Sequence, residues 1–424
     1  MKTILQLTVL VATLAAASCS RDEAPATAGD STQPGLQAWT LPAAPGAAQP
    51  DLVTAPDGRL LLSWLDTQPG RRTRLQYAEF SPAGHWQGPK TIAIGASFVV
   101  NWADTPHILA TPDGALWVQW LQKSAEAGAS YDVLLSTSRN DGMNWSEPLR
   151  PHADGTVSEH GFVSMWPQGN DRLGIAWLDG RNMVAAAGHA QTGHDGHGAG
   201  AMTLRSAVFD GSLRTDGEVE LDASVCDCCQ TDAALTAKGP LLVYRDRTED
   251  EIRDIHVARF DGKAWSPSKP VFADQWKMPA CPVNGPSVAA RGDEVVVAWY
   301  TGAGDQPTVK LARSTDAGDS FSAPLVLEQD DTVQGRVDVA LDAGNAWVLW
   351  LREGDAGQSL WLARYAPDLS KQIEKVEVAR LQGRGRGTGF PQLALREGKA
   401  YLVWTDVAGG TASLHGAVYT PKVL

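Results

Sequence analysis

Leu52-Val53-Thr54-Ala55-Pro56-Asp57-Gly58-Arg59-Leu60-Leu61-Leu62-Ser63-Trp64 returns, with Trp120 lying 56 residues after Trp64, as Ile108-Leu109-Ala110-Thr111-Pro112-Asp113-Gly114-Ala115-Leu116-Trp117-Val118-Gln119-Trp120. Each copy reads as a short strand, a Pro-Asp-Gly turn and an apolar strand that ends in an aromatic ring. The aromatic recurs as Trp177, Tyr244, Trp299, Trp350 and Trp404, at further intervals of 57, 67, 55, 51 and 54 residues. Self-similarity at such a period marks a repeat architecture rather than a single layered domain.

After each aromatic come a variable loop, a third strand, a turn and a short fourth strand. Three or four short strands per unit are what one blade of a β-propeller requires. The sequence therefore predicts an all-β chain folded as a β-propeller of seven four-stranded blades. The last unit supplies only three strands, near Pro391 to Leu395, Lys399 to Trp404 and Ser413 to Tyr419. Its fourth is expected from Leu36 to Leu41, which closes the ring and removes exposed strand edges. A six-bladed ring and an array of β-sandwiches are the alternatives, and the sandwiches explain neither the single recurring aromatic nor the incomplete last unit.

Composition sets the outer limits. The 424 residues carry 36 Lys+Arg against 49 Asp+Glu, a net charge of −13, with 43% hydrophobic residues. That is a globular composition, and without a basic stripe it excludes a nucleic-acid partner. At the N-terminus, Lys2 precedes an apolar run from Ile4 to Ala17 that ends in Ala16-Ala17-Ser18-Cys19. The run is too short to span a bilayer and suits a signal peptide, residues 1–18. The small residues ending at a Cys resemble a bacterial lipoprotein cleavage box, which implies lipidation of Cys19. Residues 19–35, rich in Ala, Pro, Gly, Thr and Ser, read as a tether ahead of a propeller over 36–424. By the same resemblance, the lack of Asp at position 20 implies the outer membrane of a cell envelope, reached through the lipid anchor.

Between third and fourth strands stands Ser314-Thr315-Asp316-Ala317-Gly318-Asp319-Ser320-Phe321, and a second copy, Ser138-Arg139-Asn140-Asp141-Gly142-Met143-Asn144-Trp145, has Asn in the first acidic place. Degenerate remnants occur at Ala83-Gly84-His85-Trp86 and Asp261-Gly262-Lys263-Ala264-Trp265. The pattern resembles the Asp-box, or BNR repeat, of the sialidase superfamily, and the resemblance covers the repeat region from about residue 36 onward. Its acidic side chain caps turn amides and its Gly takes positive φ, so it marks a fold and carries no chemistry. What the resemblance implies about activity is a glycan-acting hydrolase with three Arg for a substrate carboxylate, a Tyr nucleophile with a Glu, and an acid/base Asp. The Arg-Ile-Pro or Arg-Leu-Pro motif that holds the first such Arg is absent here, so ordinary exo-sialidase activity is not expected.

The loops after second strands and the connections between units should share one face, and the unusual residues fall there. Arg245, Asp246, Arg247 and Arg253 in a dense charged loop are the catalytic candidates, and Arg245, Arg247, Arg384 and Arg386 the cations for an anionic ligand. Self-paired ion pairs on a solvated loop are the blander account of the same residues. Cys226, Cys228, Cys229 and Cys281 lie on connections into the fourth and fifth units, so they are expected to form one cluster. In an exported chain they are candidates for two disulfides, one joining Cys281 to the triplet. As thiolates they are instead ligands for copper or zinc. His160 and the tract His189, His194 and His197 are possible further ligands, with Met202 and Met278 on the same face. These observations predict an exported sialidase-like propeller lipoprotein that binds a ligand or partner, a glycan or an envelope protein. A glycan hydrolase and a copper- or zinc-handling protein are the alternatives.

Overall fold

The recurring aromatic occupies the same place in every unit of the computed structural model, which describes residues 33–68, 70–124, 130–183 and 200–422. All seven rings lie in the second strand of a sheet and none is more than 4% exposed. Seven antiparallel sheets result, one per ring. Blade 1 is Ala47–Thr54, Leu60–Asp66, Thr73–Phe80 and Lys90–Gly95, hydrogen-bonded in that order. Blades 3 (160–225), 4 (232–270), 5 (287–329) and 6 (333–381) repeat it. Blade 2 departs from the four-stranded expectation: its sheet is His107–Ala110, Leu116–Lys123 and Tyr131–Ser138, and only the bridge between Leu135 and Leu149 stands where a fourth strand would pair.

Blade 7 is built from both ends of the propeller. Gln392–Arg396, Lys399–Ala408 and Thr411–Tyr419 are joined by Leu36–Ala38, with Leu36 opposite Tyr419 and Ala38 opposite Ala417. The Trp39 amide extends the pairing by one bond to the Gly416 carbonyl, 2.9 Å. This is shorter than the expected 36–41, because from Trp39 the chain turns toward blade 1 and its ring packs against Phe80, Trp86 and Tyr401. The seven sheets exclude the six-bladed and sandwich alternatives.

The core is divided among the contacts between neighbouring blades. Trp177 packs between blades 2 and 3, Tyr244 between 3 and 4, Trp299 between 4 and 5, Trp350 between 5 and 6, and Trp404 between 6 and 7. Burial of the large aromatic side chains therefore fixes each sheet to its neighbour. Around the channel the innermost strands are also latched in series. Asp51 accepts the Ile108 amide, Asp104 that of Phe162, Asp232 that of Val288 and Asp338 that of Leu393, all at 2.6–2.8 Å.

The Asp-box-like turns have the geometry their residues dictate. The Ser314 hydroxyl accepts the Gly318 amide at 2.8 Å, and Asp316 accepts the Ser320 amide at 2.8 Å. Asn140 does the same for the Asn144 amide at 3.0 Å, so the amide oxygen serves where the carboxylate is missing. Gly318, at φ +87, lies so close to Leu241 that a Cβ would stand 2.9 Å from its methyl carbons. These turns occupy the face opposite the loops of interest.

Candidate functional site

The cysteine triplet and Cys281 become neighbours because two connections cross from an outer strand back to the channel. Thr215–Val225 ends blade 3, and the Cys226 amide is held by the Arg245 carbonyl at 3.0 Å. The chain then reaches the first strand of blade 4, Asp232–Thr236, within six residues. The second connection carries Cys281 and enters blade 5 at Ser287. Gln230 ties the connections together, accepting the Gly285 amide at 3.0 Å and donating to the Ala103 carbonyl at 2.7 Å. Only glycine fits at 285, where a Cβ would stand 2.2 Å from the Gln230 carbonyl oxygen.

The sulfurs of Cys226, Cys228 and Cys229 all lie within 4.8 Å of one another, with Cys226 and Cys229 3.3 Å apart. Cys281, on the next connection, is near enough to Cys228 for the two thiols to act on one another. All four are free thiols. The expected pair of disulfides is therefore not formed in this structure, and the three thiols of the triplet converge. Cys226 and Cys229 are buried, whereas Cys228 and Cys281 are partly exposed. Cys228 borders a cavity of about 340 Å³ whose polar lining includes Asn101, Lys123, Tyr131, Glu159 and Asp227.

Two further groups act on the cluster. The Arg253 guanidinium, 2% exposed, donates to the Cys226 sulfur at 3.1 Å, and the Asn284 amide donates to that of Cys229 at 3.4 Å. Hydrogen bonds from Cys228 and Cys229, together with the nearby charges of Arg245 and Arg253, hold Cys226 well below the usual thiol range. Cys281 is also lowered, by Cys228, while burial pushes Cys229 up. A thiolate with fixed donors and sulfur neighbours is a ligand set for a soft metal.

The arginines of the charged loop do different work. Arg245 directs its donors to the carbonyls of Asn284, Arg253 and Tyr300 at 2.6–3.1 Å and stacks 4.9 Å above Trp276. Arg247 pairs with Glu251 at 2.6 Å and Asp227 at 3.3 Å. Arg253 also holds Glu251, at 2.8 Å. Arg384 bonds the Asp355 carbonyl at 2.7 Å, and Arg386 lies 5.7 Å over Trp102, which Arg336 also covers. Arg245, Arg247 and Arg253 are thus self-paired and form no triad open to a carboxylate. Asp246 is pushed up to about 7 by burial and by the neighbouring charge of Asp222.

The other candidate ligands divide. His160 is fully buried against Asp154, Asp179 and Asp132, in a group separate from the thiols. Met202 lies in the core between blades 3 and 4, against which Cys228 also packs, and Met278 is half-buried. Cys19, His189, His194 and His197 lie outside the described residues. Sequence reasoning missed Arg253 as the partner of Cys226, Gln230 as the clasp and His152 beside His160. The first two have no local signature, while His152 stood in a segment already assigned to this face.

No protein-family model and no curated protein matches this chain. Among solved structures it is similar to a protein of unknown function from Dyadobacter fermentans DSM 18053, with 14% identity, TM-score 0.50, and 92% of this chain and 100% of that chain covered. It is also similar to the polysaccharide lyase Uly1, at 8% identity and TM-score 0.53, covering 88% and 90% of the two chains. A mutant of NanB sialidase from Streptococcus pneumoniae aligns at 10% identity and TM-score 0.44, over 88% and 68%. These likenesses are of fold.

Proposed function

We propose that this chain is a binding propeller of the bacterial cell envelope whose loop face holds a soft metal ion, Cu(I) or Zn(II), through Cys226, Cys228, Cys229 and Cys281. The observation that carries the reading is the meeting of three unbridged thiols, Cys226, Cys228 and Cys229, within 4.8 Å of one another, with Cys281 of the next connection as neighbour of Cys228 and the Arg253 guanidinium 3.1 Å from the Cys226 sulfur. A tetrahedral zinc with bonds of about 2.3 Å holds its sulfurs about 3.8 Å apart, so the Cys226–Cys229 separation of 3.3 Å opens by about half an ångström on binding. Taken as an export and lipidation signal, residues 1–19 imply an oxidising compartment, in which free thiols persist best when ligated. The glycan-hydrolase reading is not favoured, since the loop arginines are bound to main-chain carbonyls and to carboxylates.

Metal analysis and thiol titration of the protein isolated anaerobically test this. One equivalent of copper or zinc is expected, and removing it should expose four titratable thiols. Two disulfides with no metal would overturn the reading.

A further inference from the structure

A second cluster lies on the same face, where the connection into blade 3 passes the end of blade 2. The imidazoles of His152 and His160 are stacked with centroids 3.7 Å apart and planes within 3°. His152 is 6% exposed and His160 0%. Every nitrogen of the pair faces a carboxylate oxygen, but the two ends differ. At one end Asp154 Oδ2 lies 3.3 Å from His152 Nδ1 and 3.1 Å from His160 Nε2, both hydrogen-bond distances. At the other, Asp132 Oδ1 lies 3.7 Å from His152 Nε2 and 3.8 Å from His160 Nδ1, too far for hydrogen bonds.

The proton count decides what the second end is for. A neutral imidazole donates from one nitrogen only. A proton on His152 Nδ1, which faces the nearer carboxylate Asp154, leaves the lone pair of His152 Nε2 facing Asp132 Oδ1. His152 Nε2 is buried without a hydrogen-bond partner, whereas His160 Nδ1 donates to the Tyr131 carbonyl at 3.3 Å and so carries a proton in the metal-free site. His152 Nε2 and Asp132 Oδ1 are two acceptors facing each other 3.7 Å apart with no proton between them, an arrangement that is unfavourable when buried. Protonating both rings would relieve the repulsion only by stacking two cations at 3.7 Å.

We propose that Asp132 Oδ1, His152 Nε2 and His160 Nδ1 form a second metal site, distinct from the thiols, for a divalent ion that prefers imidazole, Cu(II) or Zn(II). Bonds of about 2.1 Å set neighbouring ligand atoms about 3.4 Å apart in a tetrahedron, so the observed 3.7 and 3.8 Å need only a small contraction. Parallel rings aim His152 Nε2 and His160 Nδ1 the same way, so binding displaces the proton of His160 Nδ1 to solvent and splays the rings apart. Asp154 faces the distal nitrogens of both rings, accepts the hydrogen bond of His160 Nε2, and is itself held by the Thr156 amide at 2.7 Å. Asp179 is already paired with Arg181 and Trp177 at 2.7–2.9 Å and is not a ligand. Two imidazoles and one carboxylate leave coordination positions open, a donor set suited to substrate or water rather than to a closed structural ion.

The test uses the full chain, with its thiols alkylated so that the cysteine cluster takes no part, titrated with Cu(II) alone and then Zn(II) alone. Electron paramagnetic resonance should show one Cu(II) coupled to two imidazole nitrogens, and Zn(II) should raise the melting temperature. His152→Gln and the isosteric Asp132→Asn should each weaken binding at least tenfold, and Asp154→Asn about 10- to 100-fold. Replacing His189, His194 and His197 together by Gln should leave this equivalent in place. Melting of the metal-free variants controls for folding, with Asp132→Asn carrying the test if His152→Gln fails to fold. Affinity and nitrogen coupling unchanged in Asp132→Asn, or no stoichiometric binding in the unsubstituted chain, would overturn the proposal.

Discussion

Trp39 locks the ring shut, and its replacement gives a measurable account of closure. Its ring stacks on Trp86 at 4.9 Å and meets Phe80 and Tyr401 edge-on at 5.1 and 5.0 Å, joining blade 1 to blade 7. It is 8% exposed, and its indole N–H is buried without a partner. Truncating a buried Trp to Ala costs about 3–5 kcal/mol. Removing the orphaned N–H returns part of the roughly 1–3 kcal/mol that such a group forfeits, so Trp39→Ala should lose about 3 kcal/mol. Trp39→Phe keeps a ring in the aromatic box and removes the orphan, so its loss should stay within about 1 kcal/mol. Unfolding entropy of about 2.1 cal/mol/K per residue, over roughly 390 residues, converts 3 kcal/mol into a fall of about 4 °C in melting temperature. Scanning calorimetry at one scan rate reads both variants. A Trp39→Ala protein melting within about 1 °C of the parent, or Trp39→Phe falling as far as Trp39→Ala, would refute the assignment of closure to this packing.

Other outcomes follow from the same contacts. Truncation before Gly35 should be tolerated, whereas deletion through Gln49 should cause aggregation, read by light scattering, because it exposes the Thr411–Tyr419 edge. Arg253→Gln should raise the Cys226 thiol, so that thiolate ultraviolet absorbance in the metal-free protein appears at higher pH than in the parent. Burial pushes the channel carboxyls Asp104 and Asp338 up to about 7 and Asp232 to about 6. The folded protein keeps protons that the unfolded chain releases above about pH 4, so their stabilisation is complete below that pH and is lost as pH rises through 6 to 7. Asp338→Asn should flatten the decline in melting temperature between pH 4 and pH 8. An aryl sialoside should not be turned over, and turnover abolished by Arg245→Ala would contradict the placement of that side chain on main-chain carbonyls.

The sequence alone determined the repeat, the blade count and the way the ring closes. These are legible because strand alternation, Gly turns and one large buried ring per unit are local consequences of residue type, and they recur seven times. Even the shared face of Cys226 to Cys229 and Cys281 follows from strand order, since connections between blades always return on the same side. Tertiary structure alone decided which side chains meet there. Arg253 stands 27 residues from Cys226, and Gln230 reaches Ala103 across 127 residues. His152 gains its buried, unpartnered nitrogen only because blade 2 presents Asp132 opposite it. The loop arginines read as anion-binding forks in sequence, yet the fold turns Arg245 onto the carbonyls of Asn284, Arg253 and Tyr300. A guanidinium binds whichever acceptors surround it, and burial, which no spacing rule encodes, determined that these would be the protein's own.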